Sequence, residues 1–190
     1  QMVDEGTRRA YMNPDNPLRA SIVADPAGTR KNTKDNTPSV VHIDLVAGGE
    51  VEVMIAAKGG GSENKSKMVM LNPSDDIAEW VEKTLPTMGA GWCPPGMIGI
   101  GIGGTAEKAA VLAKESLMDP VDIHELMERG AVTTEEKLRL EIFERANKLG
   151  IGAQGLGGLT TVVDVKIKSV PTHAASTPVV MIPNCAATRH

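Results

Sequence analysis

The chain has 190 residues, of which 41% are hydrophobic and 23% are charged, enough for one globular domain with a hydrophobic core. Its net charge of −4 and its aromatic content of 2% argue against a nucleic-acid surface, which needs cations and stacking rings. No apolar stretch has the length of a membrane span, and no secretory signal opens the sequence. With two distant cysteines, Cys93 and Cys185, we expect no disulfide framework and a reducing, cytoplasmic compartment.

The first third of the chain predicts a helix end, a long loop and a hairpin. Residues 1–18 are typical of a helix that ends in an Asn-Pro-Asp-Asn-Pro turn, and residues 24–39 are polar and rich in turn-forming residues. Residues 40–48 and 50–58 predict two strands joined at Gly48-Gly49.

A glycine-dense segment, Lys58-Gly59-Gly60-Gly61-Ser62, follows directly. Three successive glycines can turn their N–H groups toward one anion, and the alternative is a flexible turn. The cations Arg19, Arg30 and Lys31 favour a carboxylate or phosphate ligand, unless they are solvated surface charges.

The middle of the chain predicts a helix over residues 74–85 capped by Ser74, then a strand in which Ile98, Ile100 and Ile102 alternate with glycines. A strand face without side chains indicates that another group approaches its backbone closely. A further helix follows, with Thr105 as its N-cap. The thiol of Cys93, the bare strand face and this glycine-rich helix start predict a functional site over residues 91–110.

The same stretch contains the pattern G-x-G-x-x-G at Gly99, Gly101 and Gly104. One interpretation is a dinucleotide-binding turn, as in a nucleotide-binding oxidoreductase. However, the glycines lie inside the apolar alternation, so the other interpretation is a strand packed against a second backbone.

The last third predicts a helix over residues 133–150, a second glycine-rich loop over 152–161, and strands over 162–170 and 178–183. Strands and helices are mixed along the chain. We therefore predict an α/β, or mixed α+β, single domain with a mixed sheet flanked by helices.

Both cysteines stand at rigid turns, Cys-Pro-Pro and Ile-Pro-Asn-Cys, which suit metal ligation; inert buried thiols are the alternative. A non-catalytic zinc module would need His173 or His190 in addition. His173 lies in a polar turn of small residues and is accessible to a ligand, although it can equally be an ordinary surface histidine.

Four segments carry a resemblance that extends over nearly the whole chain from about Leu18: AAKGGGSENKSKMVMLNP, WCPPGMIGIGIGGTAEKA, LGIGAQGLGGLTTVVDVKI and PTHAASTPVVMIPNCAATRH. They resemble class I fumarate hydratase, the iron–sulfur fumarase, and the related two-subunit fumarases and tartrate dehydratases.

The resemblance implies a [4Fe–4S] cluster held by three cysteines, with Cys93 and Cys185 as two of the ligands. The third belongs to a Cys-Gln-Asp motif that also carries a candidate catalytic base and precedes this region in the family. We therefore expect residues 1–190 to be a fragment of the N-terminal, cluster-binding domain, without the upstream helical part, the C-terminal domain or a catalytic residue. Such a fragment would be inactive and hold no stable cluster. Arg19, Gly61 and His173 match substrate-binding positions.

The complete protein is then expected to be a cytoplasmic lyase of the tricarboxylic acid cycle that hydrates fumarate reversibly to (S)-malate. Its partners would be the dicarboxylate substrate and a second copy in a homodimer, with neither nucleic acid nor membrane. Tartrate dehydratase and mesaconate hydratase activities of the same family are the alternatives.

Overall fold

The computed structural model describes residues 1–15 and 18–188, and the chain divides into two units, residues 1–53 and 54–190. The first unit contains helix α1 (Met2–Met12) and a long loop closed by a bridge between Val23 and Asn32. Arg8 on α1 binds Asp35 at 3.0 Å. The predicted helix end and polar loop are confirmed, while Asn16 and Pro17 of the predicted turn lie outside the described residues.

The predicted hairpin is wrong. Residues 40–59, all of which the structure describes, form neither helix nor strand, and Val40, Leu45 and Ile55 are 88%, 98% and 89% exposed. A strand needs a hydrogen-bonding neighbour and a surface on which to bury its apolar face. The described residues supply neither to this segment, so its strand-like composition is not sufficient.

The described residues of the second unit build one four-stranded mixed sheet, which confirms the predicted fold class. Its strands are β1 (Lys67–Leu71), β2 (Gly96–Gly104), β3 (Val162–Thr172) and β4 (Thr177–Asn184). The order across the sheet is β1-β4-β2-β3. Strand β2 runs parallel to β3 and antiparallel to β4, which also pairs antiparallel with β1. The predicted strands correspond to β2, β3 and β4, whereas β1 was not predicted.

The helices of this unit are α2 (Gly60–Glu63), α3 (Ile77–Thr84), α4 (Ala106–Ser116), α5 (Ile123–Arg129) and α6 (Thr134–Lys148). Up to residue 188, where the description ends, the unit also contains the 3₁₀ segments Leu85–Trp92, Ala153–Gly155 and Ala186–Thr188. Helix α3 begins later than predicted because Asp76 caps it by accepting a hydrogen bond from the Glu79 N–H at 3.1 Å. Helix α6 starts as predicted, with a capping box between Thr133 and Glu136.

The core lies on the face of the sheet that carries the β2 isoleucines. Ile98, Ile100 and Trp92 are fully buried there and belong to one apolar cluster with α3 and α6. The opposite face is covered by α4, whose Ala109 and Ala113 pack on β4. In the part of the chain that the structure describes, no helix combines the length and the apolar character needed to cross a bilayer.

The glycines of β2 lie beneath α4. A Cβ atom on Gly101 would overlap the Ala109 carbonyl oxygen and the Ala113 backbone nitrogen, and one on Gly99 would overlap the Ala113 carbonyl oxygen. The predicted close approach of a second backbone is therefore confirmed: the bare strand face lets a helix lie directly on the sheet.

A buried ionic network ties the α4–α5 connection to the sheet. Asp164 accepts from Arg139 at 3.3 Å and pairs with Lys166 at 3.1 Å, and all three side chains are almost fully buried. Lys166 also donates to the carbonyl oxygens of Asp119 and Val121. The network fixes the path of the chain between the two helices.

Candidate functional site

The two cysteines meet at one end of the sheet because of its register. Met97, near the start of β2, pairs with Asn184, the last residue of β4. In an antiparallel pair, the residues before one strand and after the other must then be neighbours. The Ala186 N–H accordingly donates to the Cys93 carbonyl oxygen at 3.2 Å, so the structure brings both predicted metal ligands together.

The backbone at Cys93 has φ 57° and ψ 60°, in the left-handed region, which is uncommon for a residue other than glycine. The Leu85–Trp92 segment ends there, and the Cys93 N–H donates to the Ala90 carbonyl oxygen at 2.9 Å. Trp92, which directly precedes Cys93, is fully buried and anchors this end of the segment. Such conformations persist where the surroundings over-determine them, often at functional sites.

The triple-glycine segment lies against both cysteine turns. It forms the short helix α2 rather than a flexible turn. A Cβ atom on Gly59 would lie 3.8 Å from the Cys185 Sγ, and one on Gly61 would lie 3.8 Å from the Gly91 carbonyl oxygen. The missing side chains therefore leave space beside one thiol and beside the turn that leads to the other.

Three charged side chains surround this segment. The Glu63 carboxylate contacts the Lys58 ammonium at 3.0 Å and the Lys114 ammonium at 2.7 Å. Burial lowers the pKa of Lys58, and the charge of Glu63 offsets part of that effect. Burial alone would raise the pKa of Glu63, but the hydrogen bonds from the two lysines outweigh it and lower that pKa. The carboxylate is therefore held ionised between two cations.

The second glycine-rich loop also reaches this end of the sheet. The Gln154 N–H donates to the Pro94 carbonyl oxygen at 2.7 Å, and a Cβ atom on Gly155 would lie 3.3 Å from the Ala90 Cβ. Four segments of the chain thus converge around the cysteines. Sequence analysis identified the two glycine-rich segments but not the roles of Glu63, Lys114 or Gln154.

His173 lies at the opposite end of β4, in the turn between β3 and β4. Its Nδ1 accepts from the Ala175 N–H at 3.1 Å, and its side chain is exposed. The eight residues of β4 at about 3.3 Å per residue separate it from Cys185 by roughly 26 Å. Within this chain, His173 therefore lies far from the two thiols, and its substrate-binding role stays a prediction.

The glycine-rich start of α4 is at that opposite end as well, because β2 separates it from Cys93. The Thr172 hydroxyl donates to the Gly104 carbonyl oxygen there at 3.1 Å. The expectation that the thiol and this helix start share one site is therefore wrong. A dinucleotide-binding turn is also wrong, since Gly99 and Gly101 are covered by α4.

Arg19 belongs to the first unit, and its role in binding substrate stays a prediction. His190 lies outside the described residues. Among residues 1–15 and 18–188, no three His, Cys, Asp or Glu side chains gather into a metal site. A zinc site built from both cysteines and His173 is excluded by their separation along β4.

The donor set at the cysteines fits part of an iron–sulfur site. Both side chains are half-buried thiols, and thiolates are the usual ligands of such clusters. A cluster also needs space next to sulfur, and a Cβ atom on Gly59 would fill such space beside Cys185. Cys93 and Cys185 would hold two corners, and the other ligands would have to come from outside the described residues.

Comparisons with known proteins find similarity over nearly the whole chain. Residues 1–190 match the model of the family described as Fumarate hydratase (Fumerase). The chain is 39% identical over 195 residues to the "Putative L(+)-tartrate dehydratase subunit alpha" of Methanocaldococcus jannaschii, covering 98% of this chain and 65% of that protein. It is 32% identical over 194 residues to the L(+)-tartrate dehydratase subunit alpha of Escherichia coli K12, covering 100% of this chain and 60% of that protein. The chain thus spans just under two thirds of the length of these relatives.

Proposed function

This chain belongs to the fumarate hydratase (Fumerase) family, and from that premise we propose that it forms the cluster-holding part of an iron–sulfur hydro-lyase. Cys93 and Cys185 would bind a [4Fe–4S] cluster, and the complete enzyme would interconvert fumarate and (S)-malate. The observation that carries the proposal is the meeting of two thiol-bearing turns beside a triple-glycine segment at one end of the sheet.

The cluster would supply an open iron, a Lewis acid able to bind the hydroxyl and a carboxylate of the substrate. In this proposal the substrate would lie beside the triple-glycine segment. Gly61 carries no side chain, and its backbone would contact a substrate carboxylate. Contacts from Lys58 and Ser62 hold this segment in place, so little reorganisation is needed when charge develops on the substrate.

The proton transfers are assigned to groups outside these 190 residues, because the family motifs for the base and the acid lie outside the matching segments. Arg19 and His173 are proposed as further substrate contacts from their matching motifs. Neither is needed for the proposal on Cys93 and Cys185.

L(+)-tartrate is the second candidate substrate, and the printed names of the relatives favour it. Malate and tartrate are both four-carbon 2-hydroxydicarboxylates that lose water across the central carbon–carbon bond. They differ by one hydroxyl group, so the same thiol-held centre serves either reaction. The substrate assay therefore has to include both.

Those relatives are named as alpha subunits, which favours assembly with a second kind of chain over the homodimer expected from sequence. We propose that the complete enzyme is a cytoplasmic assembly of this kind, with the remaining catalytic groups on its other parts. Its place in the tricarboxylic acid cycle follows only if fumarate is the substrate.

The test is made on the complete enzyme, reconstituted with iron and sulfide without oxygen. Loss of fumarate is followed by its ultraviolet absorbance in the wild type, Cys93→Ser and Cys185→Ser, with tartrate in a parallel assay. We expect activity that requires iron, and loss of both iron and activity in each variant, with tryptophan fluorescence showing that the variants fold. Turnover without iron would overturn the cluster assignment. Turnover of tartrate but not of fumarate would identify tartrate as the substrate instead.

A further inference from the structure

Residues 40–46, which we call the exposed segment, have a strand-like sequence that the described part of the chain does not cover. Every residue in this range is exposed, and Val40, Ile43, Leu45 and Val46 are each at least 78% exposed. Among the described residues, their backbone groups form no backbone–backbone hydrogen bond. Contiguous apolar surface usually marks an interaction site, and unpaired N–H and carbonyl groups can pair with another strand. The segment therefore has both the side chains and the free backbone of a docking strand.

The exposed segment starts from a fixed point on the first unit. The Ser39 N–H donates to the Asp4 carboxylate of α1 at 2.8 Å. The Ser39 and Thr7 hydroxyls are hydrogen-bonded to each other at 2.7 Å. Because the residue before the segment is held in this way, less conformational freedom is lost when a partner binds.

The apolar residues of the exposed segment are arranged symmetrically about Ile43. The sequence Val-Val-His-Ile-Asp-Leu-Val places apolar residues at equal distances on either side of it. If two copies pair as antiparallel strands centred on Ile43, Val41 faces Leu45 and Val40 faces Val46. A two-fold interface requires this self-complementarity, because every contact from one copy to the other is repeated in reverse.

The two polar residues of the exposed segment are complementary in the same register. His42 faces Asp44 of the second copy, so a ring N–H can donate to a carboxylate, and this contact also occurs twice. Opposite cross-strand pairs stabilise a sheet, whereas like charges directly opposite destabilise it. A shift of one residue would set Asp44 against Ile43. The pattern therefore favours a second copy of the same segment as the partner, in one register.

We propose that two copies of this chain associate through the exposed segment, paired as antiparallel strands about a two-fold axis at Ile43. Residues 51–53 can add a second strand from each copy, because Val53 faces Leu45 when residues 48–50 form a three-residue turn. Gly48 already has φ 127°. Four strands with one apolar face exceed the minimum for a stable sheet. The proposal goes beyond the proposed function and does not depend on a cluster, and an assembly with a second kind of chain can still contain two copies of this one.

The first measurement is sedimentation velocity of the 190-residue chain under reducing conditions. The concentration is raised from about 1 µM to about 1 mM, the range of weak association. We expect a monomer that converts to a dimer and to nothing larger, because a two-fold contact closes on itself. A chain that stays monomeric, or that forms an open series of larger species, would overturn the proposal.

Charge reversal tests the register. His42→Asp would set two carboxylates opposite each other at both ends of the pair and should raise the dissociation constant of the dimer about tenfold. The double variant His42→Asp/Asp44→Lys restores opposite charges and should recover most of the affinity. Both residues are exposed, so neither substitution disturbs the core, and tryptophan fluorescence checks the fold. If the double variant associates as weakly as the single one, the proposed pairing is wrong.

A cross-link tests the two-fold axis. Ile43→Cys sets two introduced thiols opposite each other, with Cα atoms about 4.5–5.5 Å apart, which suits a disulfide. In the matched control Leu45→Cys, the two thiols are separated by four residues along the strands, about 13 Å. Mild oxidation should therefore give a covalent dimer with Ile43→Cys alone, and mass spectrometry of the linked peptides distinguishes this bond from any that involve Cys93 or Cys185.

Equal cross-linking of the two variants, or none with Ile43→Cys, would overturn the proposal. The same cross-link is then sought in the complete enzyme. If a different chain covers the exposed segment there, the link at residue 43 will be absent and the proposal fails. None of these readouts needs iron or turnover, so failure here is distinct from failure of the hydro-lyase assignment.

Discussion

The contact between β2 and α4 can be tested by one added methyl group. In Gly101→Ala, the new Cβ would overlap the Ala109 carbonyl oxygen and the Ala113 backbone nitrogen. Overpacking of a core typically costs about 1–3 kcal/mol. Because both obstacles are backbone atoms of a helix, which cannot rotate away, we expect the upper end of that range. A loss of about 3 kcal/mol is roughly a hundredfold change in the folding equilibrium constant.

The assay is unfolding in urea followed by tryptophan fluorescence, since Trp80 and Trp92 both lie in the second unit. With an m-value of about 2–3 kcal/mol/M, the midpoint should fall by about 1–1.5 M. Gly60→Ala is the matched control, because among the described residues, apart from its chain neighbours and the backbone of its own helix, no atom lies within 4 Å of a Cβ built there. If Gly101→Ala stayed within about 0.5 kcal/mol of the wild type, the close packing of α4 on β2 would be refuted.

Two further substitutions test the electrostatics of the second unit. Arg129 and backbone N–H groups at the start of α6 lower the pKa of Glu136 from 4.5 to about 2. A carboxyl whose pKa is lowered in the folded state stabilises the fold above pH 4.5, and this contribution is lost as the pH falls toward 2. Glu136→Gln should therefore flatten the dependence of the urea midpoint on pH in that window, and an unchanged acid slope would argue against this contribution. Asp164→Asn leaves the buried Arg139 and Lys166 without their carboxylate. It should lower the free energy of unfolding by about 3–5 kcal/mol. A loss below about 1 kcal/mol in the same urea assay would show that backbone carbonyl oxygens satisfy both cations.

Elements with local signals were predictable. Helix α6 has a capping Thr133, acidic residues in its first turn and Gly150 just beyond its end, all of which are readable from the sequence. Strand β2 was equally clear from its isoleucine and glycine alternation. The hairpin over 40–58 failed because strand propensity depends on a partner, which no local pattern reveals. Strand β1 was missed because five residues with mostly exposed side chains carry little signal.

The sequence pointed to the two cysteines of the candidate site but not to the residues around them. Cys93 and Cys185 were identified from motifs, yet their proximity depends on the register of β2 against β4. The pairing of Glu63 with Lys114 joins α2 to α4, and sequence alone does not reveal how those helices pack. His173 was linked to the cysteines by its motif, but the full length of β4 separates it from Cys185.

The strand order has a consequence for how the site is made during synthesis. Strand β4 is the last of the four to leave the ribosome, yet it lies between β1 and β2 and hydrogen-bonds to both. Until it is inserted, β1 and β2 share no neighbour, and the turn that carries Cys93 has no Cys185 beside it. Strands β2 and β3 are both synthesised before β4 and can pair earlier, although two strands alone are only marginally stable. The two thiol-bearing turns can therefore come together only after the central strand has been inserted.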